Sequence, residues 1–122
     1  MTGMTRLLRA AIVAVAVFSA GSVARAGVPA GAKPVGDATT VFVAVDAVTV
    51  YAYTLYVNGV VEGEAAPSVW SVTFSSSSST ANVEACQRVA LLAMAKPGAY
   101  RLELSYQVYA GNGVCRLVRA QP

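Results

Sequence analysis

Ser79-Thr-Ala-Asn-Val-Glu-Ala-Cys-Gln-Arg-Val-Ala-Leu-Leu-Ala-Met-Ala-Lys-Pro-Gly98 is the one stretch that reads as helix in a chain otherwise patterned as strands. It is rich in the strong helix formers Ala, Leu, Met, Glu, Gln and Arg, and Ser79 or Thr80 supplies a side-chain oxygen for the free amides at its start. Lys96-Pro97-Gly98 ends it, because a proline disfavours helical angles at the residue before it and glycine suits the position after a helix. Helical spacing places Ala85, Cys86, Val89, Leu92 and Ala93 on one face and turns Glu84, Gln87 and Arg88 elsewhere. Such a face needs a sheet to cover.

The strands that would form this sheet lie on both sides. From Thr39 to Val57 the chain holds no Gly, Pro or Asn and is mostly Val, Tyr, Thr and Phe, residues that suit a pleated, half-buried surface. The run is longer than an ordinary strand, so it either bends near Asp46-Ala47 or divides there; one long bent strand is the expectation, since Asp46-Ala47 lacks turn chemistry. Asn58-Gly59 is a type I′ hairpin signal, with Val60 to Glu62 returning from it. Gly63 to Ser68 breaks the pattern, and from Val69 to Ser75 the residues Trp70, Val72 and Phe74 alternate with polar neighbours. After the helix, Tyr100, Leu102, Leu104, Tyr106 and Val108 alternate with Arg101, Glu103, Ser105 and Gln107. Gly111-Asn112-Gly113 then turns the chain into a last strand, Val114 to Arg119. Trp70, Val72, Phe74, Tyr100, Leu102, Leu104, Val89 and Leu92 are the expected core.

The amino-terminal segment belongs to none of this. Arg6 and Arg9 precede an apolar run from Ala10 to Ala20, followed by Ala24-Arg25-Ala26, which is the pattern of a secretory signal peptide over residues 1–26 with cleavage before Gly27. The run is too short to span a bilayer, which takes about 20 residues. Residues 27–38, with three Gly and two Pro, read as a flexible lead-in, and 39–122 as a single β-rich domain. Three of the nine basic residues leave with the signal peptide while all six acidic ones stay, so the mature chain is neutral and its composition offers no basic run to a nucleic acid or an anionic membrane.

An exported chain whose only cysteines are Cys86 and Cys115 is expected to join them in a disulfide. Closing this loop stabilises the fold by roughly 3.5 kcal/mol on the chain-entropy model. No CxxC pair and no His occur anywhere, so neither a metal site nor a cofactor or redox centre is expected. The serines lack a GxSxG context, and Asp46 with Glu103 is the one carboxylate pair to inspect for glycosidase chemistry, against their reading as solvent-facing strand residues balanced by Arg101 and Arg116. An enzyme is not expected.

The order strand, strand, strand, helix, strand, strand over Thr39 to Arg119 resembles the OB-fold, a five-stranded Greek-key barrel with one helix between its third and fourth strands. The resemblance implies a mainly β (α+β) fold, a small antiparallel five-stranded barrel or curved sheet. The chain is also similar to small secreted bacterial proteins of uncharacterised role that carry a Cys-bearing helix, signals like Leu91-Leu92-Ala93 and Lys96-Pro97-Gly98, and a closing Cys strand. The OB-folds of pentameric toxin B-subunits, similar in layout, bind glycans, although no motif of theirs is present. Tyr51, Tyr53 and Tyr56 are the candidate ligand surface: three of the six tyrosines fall within six residues, and such rings either stack on a glycan or protein partner or line the sheet as ordinary packing. Two functions follow, a secreted or periplasmic non-catalytic binding module for a glycan or protein, or a structural, accessory envelope protein without a small-molecule ligand.

Overall fold

The computed structural model describes residues 28–75 and 79–121, so the signal-peptide and Gly27 assignments, like most of the serine run, lie outside the described residues. Among those described, six strands form one mixed sheet with a single helix: β1 (Lys33–Pro34), β2 (Thr40–Tyr51), β3 (Thr54–Val61), β4 (Ser68–Thr73), α1 (Ser79–Ala95), β5 (Tyr100–Gln107) and β6 (Asn112–Arg119). The strand order is β1-β4-β3-β2-β5-β6, and the sheet is not closed into a barrel. Fold class and disulfide match the sequence reading. Strand number, closure and helix position do not: there are six strands instead of five, and the helix falls between the fourth and fifth.

The additional strand comes from the supposed lead-in. Lys33 and Pro34 pair in parallel with Trp70 and Ser71. Val35 is buried and donates its N–H to the Ser71 carbonyl at 2.9 Å, while Tyr106 donates to the Gly36 carbonyl, also at 2.9 Å. Residues 33–36 thus reach from β4 across to β5. The Lys33 ammonium stands 5.5 Å from the centre of the Trp70 ring, an added cation–π tie. Pro34 can take this place because an edge strand does not need its missing N–H.

The expected long strand is also two strands. Its turn is the two-residue loop Ala52-Tyr53, flanked by the pair Tyr51 and Thr54, with Ala52 in the left-handed region at φ 52°. Asn58-Gly59 is no turn: Asn58 lies opposite Ala47, and Gly59 opposite Val45, in mid-strand. Burial decides this. The observed register sets Leu55 against Val50 and Val57 against Val48, whereas a turn at Asn58-Gly59 would set Leu55 against Glu62. β2 shows irregularities between Phe42 and Ala44 and between Val45 and Ala47, leaving Val43 and Asp46 as bulge residues. The bend foreseen at Asp46-Ala47 is therefore present as a bulge, and the strand continues beyond it.

The helix stops where its sequence indicates, with Gly98 at φ 79° and Ala99 N–H donating to the Lys96 carbonyl at 3.1 Å. Its buried face is Val83, Cys86, Ala90 and Ala93, rotated from the expected set. Leu92 lies nine residues past Val83, which at about 100° per residue puts it on the far side of the helix, and it is exposed, as is Ala85. Small Ala90 and Ala93 let the helix approach the sheet closely, and the bond from Cys86 to Cys115, with Cα atoms 5.4 Å apart, fixes this face toward β6. Phe42, Leu55, Leu102, Leu104, Val57 and Val72 form the fully buried centre. Of the expected core, Trp70, Tyr100 and Val89 are half-buried.

Candidate functional site

Outward-facing residues of β2, β3 and β4 align in rows. The registers place Thr49 beside Tyr56 beside Ser71, and Tyr51 beside Thr54 beside Thr73. Opposed side chains in such rows have Cβ atoms about 5 Å apart. The hydroxyls of Thr54 and Thr73 are 3.3 Å apart and share a hydrogen bond. Tyr56, in the middle strand, is half-buried by its neighbours, while Tyr51 and Tyr53, at the hairpin tip, are 57% and 46% exposed. The three candidate tyrosines are thus brought to one end of the sheet, Tyr51 and Tyr56 on its outward face and Tyr53 in the turn.

Where residues 33–36 cross from β4 to β5 there is a depression of about 240 Å³ whose lining includes Pro34, Val35, Ser71, Thr73 and Tyr106. Through Tyr106 it meets a second depression, of about 380 Å³, formed with Asp37 and the β5–β6 turn, where Tyr109 is fully exposed. The end of β4 connects the two hairpins. Phe74 donates its N–H to the Tyr53 carbonyl at 2.9 Å, and Ser75 donates to the Asn112 side-chain oxygen at 2.9 Å. Gly113 packs so tightly on β4 that a Cβ there would strike a Val72 methyl, with the Thr73 carbonyl oxygen at 3.2 Å and the Phe74 ring at 3.3 Å. Both hairpins thus meet the end of β4, the first through the turn that holds Tyr53 and the second through Asn112 and Gly113, while of the exposed tyrosines Tyr109 alone lines a depression.

Ser71, Thr73, Tyr106 and Asp37 are the residues the sequence reading missed as site components. Ser71 and Thr73 were legible as the wet face of an alternating strand. Tyr106 and Asp37 join them only because residues 33–36 cross from β4 to β5, and no local pattern announces this crossing.

The other candidates assemble no chemistry. Glu103 lies opposite Val41, five residues before Asp46, which separates the two carboxylates by roughly 15 Å along the strand. Glu103 also sits 3.7 Å from the Arg116 guanidinium, and Arg101 reaches Glu62 at 3.4 Å. A third depression, about 270 Å³, lies between α1 and β6 beside the disulfide and is lined by Phe74, Ala85, Val89 and Val114 among others. Its walls present no carboxylate, amine or free thiol. Among the described residues no group of three or more His, Cys, Asp or Glu could hold a metal, and no helix is long and apolar enough to cross a membrane.

Compared with protein families, curated proteins and solved structures, the chain shows no match.

Proposed function

We propose that this protein is a small exported binding module without catalytic activity, whose ligand surface is the end of the sheet where the Tyr51-Tyr53 hairpin and the hairpin bearing Tyr109 both meet the end of β4. The observation that carries this reading is that two turns bearing exposed tyrosines, Tyr53 on one and Tyr109 on the other, belong to hairpins that both meet the end of β4, with Tyr109 lining a depression there. Tyr51, Tyr53 and Tyr109 face solvent, which favours binding over a purely structural envelope role.

An OB-like layout supports the same surface. The five long strands run β4-β3-β2-β5-β6, the helix follows the third of them, and the start of β6 leans against the end of β4 at Gly113. This is the arrangement of a Greek-key barrel left open at one seam. In OB-folds the loops after the first and fourth strands flank the ligand face, and here they correspond to the turns carrying Tyr53 and Tyr109. The absence of His, the engagement of both cysteines in a disulfide and the separation of Asp46 from Glu103 support a non-catalytic role. The signal-peptide pattern and the disulfide support export to the periplasm or medium.

Glycan-array and pull-down screening of the secreted chain tests the proposal, with a Tyr51→Ala, Tyr53→Ala double variant as control. Binding that the variant loses while keeping its unfolding midpoint supports it. A variant that unfolds at lower denaturant and never had a ligand to lose returns the tyrosines to packing. Intact mass of the secreted material checks export, with a first residue of Gly27 expected.

A further inference from the structure

We infer, building on the binding reading above, that the partner of this surface is an uncharged lipid bilayer interface, entered by the two turns. The turns share a short sequence: Val50-Tyr51-Ala52 leads into the first, and Val108-Tyr109-Ala110 lies in the second. Among the described residues seven large hydrophobic side chains are exposed, and five of them are Val50, Tyr51, Tyr53, Val108 and Tyr109. Hydrogen bonds from Phe74 to the Tyr53 carbonyl and from Ser75 to the Asn112 side chain bring both hairpins to the end of β4. The exposed apolar groups are thus gathered at one end of the sheet.

The chain around them is emptied of charge. Residues 47–61, 65–83 and 104–115 contain no Asp, Glu, Lys or Arg, and they supply the hairpin end of β2, all of β3 and β4, the end of β5 and the start of β6. Three stretches far apart in sequence lose both signs of charge where the fold brings them together. This suits entry into a bilayer interface, where a buried charge is costly and the amphipathic ring of tyrosine is at home. Asp37, in the lining beside Tyr109, is the one charged side chain in that depression and opposes deep entry. Other occupants fit less well. Tyr51 and Tyr53 line neither depression at this end, so their rings stand on a projecting turn and not in the concave site a small ligand needs. The exposed tyrosine and valine surface of the two turns is roughly 600 Å², short of the ~800 Å² a side that a stable protein interface buries.

Cosedimentation of the secreted protein with vesicles tests the assignment, one set pure phosphatidylcholine and the other with phosphatidylglycerol added. The expected result is binding to the neutral vesicles with no gain from the anionic lipid. Raising salt from about 50 mM to about 500 mM should change the affinity by less than about twofold, since no ion pair is made. Tyr109→Asp and Tyr53→Asp should each weaken binding about tenfold by putting a charge on a turn. Asp37→Asn should tighten it. Leu92→Asp, at an exposed apolar position on α1, should leave it unchanged. Tyr109 is fully exposed, so its variant should keep the parent unfolding midpoint. Binding that needs phosphatidylglycerol and disappears in salt overturns the uncharged-interface assignment. So does failure to bind any vesicle: a soluble glycan or protein whose capture the two tyrosine variants abolish would then keep the end of the sheet as the binding surface, and no such capture would remove that reading too. Vesicle binding undiminished in both tyrosine variants places the contact elsewhere and overturns both readings.

Discussion

In the β2–β3 hairpin the Asn58-Gly59 pair sits six residues past the turn, whereas in the β5–β6 hairpin Gly111 lies in the turn itself, at φ 65°, and Asn112-Gly113 opens the returning strand. Both hairpins thus hold a glycine that reads as turn chemistry and serves packing. Gly59 lets the β2 backbone approach, since a Cβ there would run into the Ala44 carbonyl oxygen with Val45 Cα at 3.1 Å. Gly113 admits β4 in the same way. The difference lies in what sets each register. The β5–β6 hairpin has a glycine at its turn and a disulfide on β6. The β2–β3 hairpin turns on Ala52-Tyr53, with no favourable turn residue, because Leu55 and Val57 must face the core together with Val45 and Val48. Buried apolar pairing outweighs local turn preference there.

The sharpest way to break this comparison is to remove the packing that holds the first hairpin. Leu55→Ala, at a fully buried position, should destabilise the protein by about 2–5 kcal/mol, read as a lower urea midpoint. Replacing both Cys86 and Cys115 by Ala should cost roughly 3.5 kcal/mol, given a sequence separation of 29 residues. The cost should be local as well: amide exchange should quicken in α1 and β6 ahead of β2 and β3. Uniform acceleration would mean that the disulfide does not distinguish the hairpins.

The two glycines separate packing from turn roles. Gly59→Ala meets backbone atoms that cannot move without breaking the ladder, so it should cost about 3 kcal/mol or more, beyond the 1–2 kcal/mol or so of a left-handed turn position. Gly113→Ala meets chiefly a valine methyl and should cost less, about 1–3 kcal/mol. Equal losses in thermal or urea unfolding would remove the distinction. The smallest effect has the opposite sign. Ala52→Gly relieves a left-handed alanine worth about 1–2 kcal/mol and adds freedom to the unfolded chain worth about 0.4–1, for a net stabilisation of up to about 1.6 kcal/mol.

Strands with strict alternation were legible in the sequence. Leu102 and Leu104 are buried as read, β4 and β5 lie near their expected bounds, and the helix ends at its Pro-Gly signal. The pairing of Cys86 with Cys115 followed from the cysteine count and the signal-peptide pattern. What escaped was non-local. Nothing near Lys33-Pro34 says that an edge of β4 awaits it. The helix face was misread because Leu91 and Leu92 look like core, while the contact positions are the small Ala90 and Ala93 beside the cysteine. The tyrosine cluster was visible as composition, but its place at a hairpin tip depends on the register, and the depression at Tyr106 depends on the crossing of residues 33–36.

The register of the first hairpin is therefore the claim on which the fold and the site both rest. Cross-strand nuclear Overhauser contacts on the labelled protein in solution read it directly. Contacts linking Val50 with Leu55 and Val48 with Val57 are predicted, with Ala52 and Tyr53 at the turn. Contacts linking Val57 with Val60 and Tyr56 with Val61 would instead put the turn at Asn58-Gly59, return Tyr51 and Tyr53 to mid-strand, and take the first hairpin's turn away from the end of β4.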